Sequence, residues 1–439
     1  MKVLTIILLI ANIFVNAQSL PLEVMQKKDV VKFDPEIFQI SQKPSLADYE
    51  RFALKNNPGI KAAYNRWQAT INRITVTRSL PYPKISFGYF LENIETAVGP
   101  QEYKIGINQM IPWFGKLKLQ GNIQALRAES ELQNLQSVIN DLTYQLKEVY
   151  YDYYYLEHSI SITKQNIELI ENWEVVLKNK YKSAMAGYPD LIKTQIELIK
   201  LNDDLLTLHE KRQPILENFR SLLNVDTLYT IHIIDTLTYD SIKLSPMEVE
   251  KLILQYNPLL IQLELQEEMS DLSIRRAKLN YYPDLGIGID YIVTGDKYMN
   301  SGVPVAESGK DPIVFMLSAS IPLWWKKQGA EVKAAKYYKQ SIEERLIEKE
   351  NLFKLELKNI LFEMDDARRK IDLYKERLIP KSVESLNVSE RAYISGQSDF
   401  LDLIDAQRRY LQFLLNYEYS LTRYKKSYAK LEKLMGRKL

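Results

Sequence analysis

Three aspartates, Asp399, Asp402 and Asp405, stand three residues apart just after a Gly-Gln-Ser turn, where a helix begins. That spacing puts their carboxylates on one side of the helix start. There they favour the positive end of the helix dipole and face solvent. Nothing else in the chain has the make-up of a reaction centre. His158, His209 and His232 are scattered, cysteine is absent, and no cluster has metal-ligand spacing. There is no glycine-rich phosphate loop, nucleophile elbow or zinc-protease helix. The ten methionines are dispersed and form no relay for copper. These residues argue against an enzyme, a resident metal and a cofactor.

The elements that carry the aspartates are long helices. The chain has 439 residues, of which 46% are hydrophobic and 26% charged, with only 15 glycines against 29 tyrosines. Few glycines among many long aliphatic, Glu and Lys residues favour helix. A net charge of +2 gives no broad basic excess for nucleic acid. Residues 1–17 read as a cleaved secretory leader: Lys2, an apolar run from Val3 to Val15, and small residues through Ala17 before Gln18. No cysteine follows to carry a lipid. Residues 18–44 read as an extended segment. Beyond residue 17 no window has the length of an apolar spanning helix, so entry into a membrane requires a β-barrel.

The chain is a sequence written twice. At a shift of 200, Ser45, Glu50, Leu54, Asn57-Pro58, Ile74, Tyr82-Pro83 and Gly88 coincide with Ser245, Glu250, Leu254, Asn257-Pro258, Ile274, Tyr282-Pro283 and Gly288. Ile111-Pro112-Trp113 faces Ile321-Pro322-Leu323 at a shift of 210, and Gly187 and Asp190 face Gly396 and Asp399 at 209. The repeats span 45–223 and 245–439, joined by 224–244, where Tyr229 to Tyr239 alternates weakly like a small strand. Each repeat reads helix, strand, loop, strand, very long helix, tight turn, helix.

The four strands are expected at about 83–92, 101–112, 283–294 and 311–322, the length a tilted strand needs to cross a bilayer. One face carries Ile85, Phe87, Tyr89 and Leu91; Tyr103, Ile105 and Ile107; Leu285, Ile287, Ile289, Tyr291 and Val293; and Ile313, Phe315, Leu317, Ala319 and Ile321. Most of the alternate positions are small or polar. Lipid outside and water inside produces this pattern, and so does a soluble sheet on a core. Tyr82, Trp113, Phe114, Tyr282, Trp324 and Trp325 flank the strands where an interfacial girdle would sit, or where aromatics would cap a soluble core.

In the long helix after Gly115, Leu132, Leu135, Ile139, Leu142, Leu146, Val149, Tyr153, Leu156 and Ile160 step by three and four, as a coiled-coil seam does. Phe353 to Leu378 repeats the pattern. In the last helix, from Phe400 to Met435, only Gln407 interrupts it. Pro214 and Pro380 are expected to kink or break their helices. The two hairpin tips pair Gly187 with Asp190, and Gly396 with Ser398 and Asp399. The glycine ends one helix and the polar residue caps the next.

In this order the landmarks resemble the outer-membrane efflux protein family, typified by TolC, over about residues 45–436. Gln109 to Lys116 is most similar to its heavy-metal branch. The resemblance implies a mainly α protein with transmembrane β-structure and a tandem-repeat fold. It implies a homotrimer whose four strands per chain close a 12-stranded barrel, continued by a helical barrel in the periplasm. It implies a passive exit duct in the outer-membrane lipid, docked through the tips at Gly187, Asp190, Gly396 and Ser398 on a periplasmic adaptor and an inner-membrane pump. Asp402 and Asp405, with Asp399, match the family's acidic ring at the periplasmic gate, while Lys193 departs from the acidic residue some relatives carry. The helices alone also fit a soluble periplasmic coiled-coil scaffold.

Overall fold

A computed structural model describes residues 44–226, 230–233, 236–239 and 245–438. The expected leader at 1–17 and all of the extended segment but Pro44 lie outside them. Residues 230–233 and 236–239 carry no strand.

The first repeat runs α1 (Leu46–Asn56), α2 (Pro58–Arg78), β1 (Lys84–Glu95), β2 (Pro100–Ile111), α3 (Lys116–Lys182) and α4 (Tyr188–Leu223). The second runs α5 (Pro246–Tyr256), α6 (Pro258–Leu279), β3 (Asp284–Thr294), β4 (Ile313–Ser320), α7 (Trp325–Leu373), a π turn (Tyr374–Leu378), α8 (Ile379–Ile394) and α9 (Phe400–Met435). At about 1.5 Å per residue, α3 alone is about 100 Å long.

The repeat is physical as well as textual. Ser45 and Ser245 each close a capping box, with Asp48 and Glu248 three residues on. The two Asn-Pro pairs do the same double duty. Asn57 Oδ1 accepts from the Gly59 amide at 2.8 Å, and its Nδ2 donates to the Leu222 carbonyl at 3.0 Å. Asn257 Oδ1 accepts from the Leu259 amide at 2.9 Å, and its Nδ2 donates to the Leu434 carbonyl at 2.8 Å. Each Asn caps the helix that follows it and clips the last turn of its repeat's final helix, where carbonyls lack intrahelical partners.

Two compact units result. One holds residues 65–132 and 262–347 and contains the whole sheet; the other holds the described parts of 33–64, 133–261 and 348–439. The sheet is antiparallel in the order β1-β2-β3-β4. In the helical unit, Val249, Ile253, Leu357, Ile360, Met364 and Ile371 pack with Leu421, Tyr424, Leu431 and Met435. Further along, Ile170, Trp173 and Leu177 pack with Leu191, Leu386, Phe400 and Leu403. The buried residues follow the seams read from sequence.

The prolines behave differently from one another. α4 continues through Pro214, and Leu216, Phe219 and Leu223 beyond it are buried. Their packing outweighs a cost of about 3 kcal/mol. Pro380 follows the π turn, in which the Ile379 amide donates to the Tyr374 carbonyl. The turn widens just where Pro380 has no N–H to return to the preceding turn.

Candidate functional site

The sheet has two unlike faces, and the register shows which residues share each. Phe87 pairs with Ile105, Ile105 with Tyr291, and Tyr291 with Ile313. The next apolar row is Ile85, Ile107, Ile289 and Phe315. On the other face run Ser86, Gly106, Asp290 and Val314, then Lys84, Asn108, Gly288 and Met316.

Exposure decides between the two readings of the alternation. On the apolar face, Ile85 is 78% exposed, Phe87 69%, Leu91 93%, Phe315 65% and Leu317 75%. On the other face, Gly106, Gly286, Gly288 and Asp290 of the two central strands are buried, while Lys84, Ser86, Val314 and Ser318 of the edge strands are exposed. A soluble sheet buries its apolar face and wets its polar one. At the central strands the arrangement is inverted, as in a barrel with hydrocarbon outside and water inside.

Glycine makes the inner face possible. A Cβ on Gly106 would stand 2.2 Å from Asp290 Oδ1 and 2.7 Å from Ser86 Oγ. One on Gly286 would stand 2.3 Å from Ser318 Oγ. The cleared space lets Asp290 meet Lys104 Nζ at 3.3 Å. At the open end of the hairpins, the Trp113 and Tyr282 rings stack at 5.1 Å. Phe114 is 75% exposed, Tyr82 93%, Trp324 76% and Trp325 73%. Asp284 binds this end together, accepting from the Trp113 amide and from Lys116 Nζ, both at 2.8 Å.

At the other end of each strand pair the loops are tied. Lys297 Nζ donates to the Thr96 carbonyl at 2.7 Å, and the Gly309 amide to the Val98 carbonyl at 2.9 Å. Asp311 accepts from the Thr294 amide at 2.8 Å and from the Tyr291 hydroxyl.

The helix-hairpin tips correct the sequence alignment. Two residues past the end of α3 stands Ala184, with φ 55°, and two past the end of α8 stands Gly396, with φ 73°. The Met185 amide returns to the Lys180 carbonyl and the Gln397 amide to the Ala392 carbonyl, both at 2.8 Å. These are matching left-handed helix ends. Gly187 is not one of them: it is the N-cap of α4, as Asp399 is of α9. The tips therefore superpose at a shift of 212, not 209, so Asp190 corresponds to Asp402 and Lys193 to Asp405. Alanine tolerates the left-handed conformation here, which hid the correspondence from a search for glycine.

Asp399, Asp402 and Asp405 are all exposed. Asp399 makes no side-chain cap bond, contrary to the expected capping role. Ser398 Oγ is buried and unpartnered. Burial pushes the Asp190 carboxyl up; Lys193, 3.9 Å away, opposes this and Asp399 adds to it. Burial, with Asp190 and Asp399, lifts the Tyr393 hydroxyl to about 12. Lys180 Nζ reaches the Ile394 carbonyl at 3.2 Å and lies 4.7 Å over the Tyr393 ring.

Two polar ties near the tip were not expected from the sequence. Buried Glu197 accepts from Arg408 Nε at 3.0 Å and from Arg408 Nη2 at 2.5 Å. Buried Gln407 donates to Asn166 Oδ1 at 2.9 Å. Gln407 had stood out as the one polar residue of its seam. Glu197 went unread in the sequence; its place in the Leu191-Thr194-Leu201 stripe of α4 is the signal that could have marked it as a buried acid.

Residues 250–437 match the family model described as outer membrane efflux protein. The match falls within the second repeat. Solved structures extend the likeness to the whole fold. One is a membrane protein from Pseudomonas aeruginosa, 14% identical, with a TM-score of 0.76 over 92% of this chain and 97% of that one. CusC, described for transmembrane channel formation, gives 14% identity and a TM-score of 0.76 over 92% and 96%. The outer membrane protein VceC from Vibrio cholerae gives 13% and 0.73 over 90% and 96%. No curated protein sequence matches the chain. The fold is thus shared with these proteins, with little sequence in common.

Proposed function

We propose that this chain is the outer-membrane channel of a tripartite efflux system. Three copies close their sheets into a 12-stranded barrel, and their helices continue the passage into the periplasm. The tips at Ala184–Asp190 and Gly396–Asp402 dock on a periplasmic adaptor, itself coupled to an inner-membrane pump. Export is passive along the duct and needs no catalytic group. Residues 1–17 serve as the leader that directs the chain across the inner membrane. Asp402 and Asp405, brought together by three-fold symmetry, form the acidic ring that narrows the periplasmic end.

The observation that carries this reading is the inverted sheet: exposed aliphatic and aromatic side chains on one face, covered glycine and aspartate on the other. A soluble coiled-coil scaffold has no use for such a surface. Semi-native gel migration of membrane-extracted protein, heated and unheated, tests it. A detergent-dependent species near three times 51.3 kDa, less the leader, that collapses to one chain on boiling is expected. A water-soluble monomer obtained without detergent would overturn the channel.

A further inference from the structure

α7 starts where the aromatic girdle ends. Trp324 and Trp325 are exposed, and Lys326, Lys327, Lys333 and Lys336 follow, all exposed. Tyr337 and Tyr338 complete the surface at 62% and 59% exposure. The only carboxylate from Trp325 to Ile342 is Glu331, which accepts from Asn280 Nδ2 at 2.9 Å. Among the described residues none of the four lysines has an ion-pair partner. The next lysine, Lys339, is different: it meets Asp271 at 2.9 Å, with Glu267 and Glu343 at 3.6 Å. Charge compensation within the protein begins only there.

Helix stability does not account for these lysines. The first turn of α7 contains no acidic residue, and Lys326 and Lys327 sit against the positive end of the dipole. α2, α3, α6 and α8 also lack one, whereas in α1, α4, α5 and α9 the first turn carries Asp48, Asp190, Glu248 and Asp402. An external negative surface would reverse the balance.

Spacing fixes the depth of the patch. Lys326 and Lys333 are seven residues apart, and Trp325 and Lys336 eleven, so each pair returns to one side of the helix. Along the axis Lys326 and Lys327 stand within about 3 Å of Trp325, and Lys333 and Lys336 about 12 and about 16 Å beyond it. A headgroup layer is about 5–8 Å thick. Two lysines therefore lie within it, and two lie within about a Debye length of its edge.

We propose that the first three turns of α7 bind the phosphate groups of anionic phospholipids in the leaflet facing the helices. This rests on the membrane-channel reading. The exposed tryptophans anchor α7 at the interface, and the four lysines replace the missing carboxylates with lipid phosphates. The patch continues the apolar face of the sheet, and its charge is complementary to an anionic leaflet.

The tryptophans supply the probe: Trp67 and Trp173 are buried, Trp113 is half-buried and serves as a constant background in every variant, and Trp324 and Trp325 are exposed. The channel is reconstituted in equal mixtures of phosphatidylcholine and phosphatidylglycerol, with one or the other brominated, and tryptophan quenching is read. The expected result is a preference for phosphatidylglycerol of about fivefold or more, lost at high salt. Replacing Lys326 and Lys327 by Gln, or Lys333 and Lys336 by Gln, lowers that preference: quenching by brominated phosphatidylglycerol falls and quenching by brominated phosphatidylcholine rises as it takes the vacated places. Equal quenching by both lipids in the wild type overturns the lipid site and leaves the channel standing. So does a preference abolished by inorganic phosphate at constant ionic strength, which would point to a soluble anion instead. Absence of quenching by either lipid overturns the membrane reading itself.

Discussion

At the residue scale, a few polar side chains hold the repeat together, and their value follows from burial. Asn257 is buried and makes three bonds at once, to the Leu259 and Leu260 amides and to the Leu434 carbonyl. Asn257→Ala removes a cap and orphans a carbonyl, at a cost of about 1–3 kcal/mol. Asn57→Ala, at a wetter site, is expected to cost less; chemical unfolding of the detergent-solubilised protein gives both values. Glu418 offers a pH test. Its carboxyl lies 3.7 Å from His158 Nδ1 and accepts from the Tyr154 hydroxyl at 3.2 Å, which in turn accepts from the Leu237 amide. Burial raises its pKa, opposed by His158 and then Tyr154. A folded pKa above the unfolded one means the folded chain binds more protons between the two values. Stability from this group is therefore present at low pH and lost as pH rises through that window. In a His158→Gln background, Glu418→Gln is expected to gain stability relative to Glu418 as pH rises from about 4 to about 7. Thermal unfolding across that range shows it, and a pH-independent difference would remove the argument.

At the element scale, strand and helix were legible to different degrees. Period-two alternation located all four strands to within about three residues, because a barrel strand must alternate to separate lipid from water. Alternation could not say which face is buried; that needed the glycines opposite Asp290 and Ser318, a fact of register between strands distant in sequence. The helix seams were legible because three-four spacing has few other causes. The tip glycines alone place the two repeats three residues out of register, because the left-handed residue after α3 is alanine rather than glycine. Buried Glu197 was not legible as a partner, since Arg408 lies in the other repeat. The sheet's two faces can be separated by one substitution on each. Phe87→Arg puts a charge in the exposed apolar band and is expected to cost about 2–4 kcal/mol. Val314→Arg, on the face that carries Asp290, is expected to leave heat-resistant gel migration near wild type. If Val314→Arg were the more disruptive, the sheet would be facing the other way.

At the scale of the whole molecule, the tip asks what two repeats with unequal charge do when brought around a three-fold axis. The corresponding positions are Asp190 and Asp402, and Lys193 and Asp405. In the first repeat the lysine stands 3.9 Å from its aspartate. In the second, both positions are acidic and exposed, and only Asp405 has a basic neighbour, Arg408 at 3.9 Å. Arg408 is already engaged by buried Glu197, so it compensates Asp405 only in part. The first-repeat tip is therefore locally balanced and the second is not. On the proposed trimer, three copies would bring an excess of carboxylate on α9 together, to repel anions and attract cations at the tip. Asp402→Ala with Asp405→Ala should raise single-channel conductance in planar bilayers and weaken block by divalent cations. Lys193→Ala, which disturbs only the balanced repeat, should change either quantity far less. The comparison separates a charge ring from a merely looser tip. A looser tip raises conductance in both variants and leaves divalent block intact, whereas a charge ring loses that block only with Asp402 and Asp405.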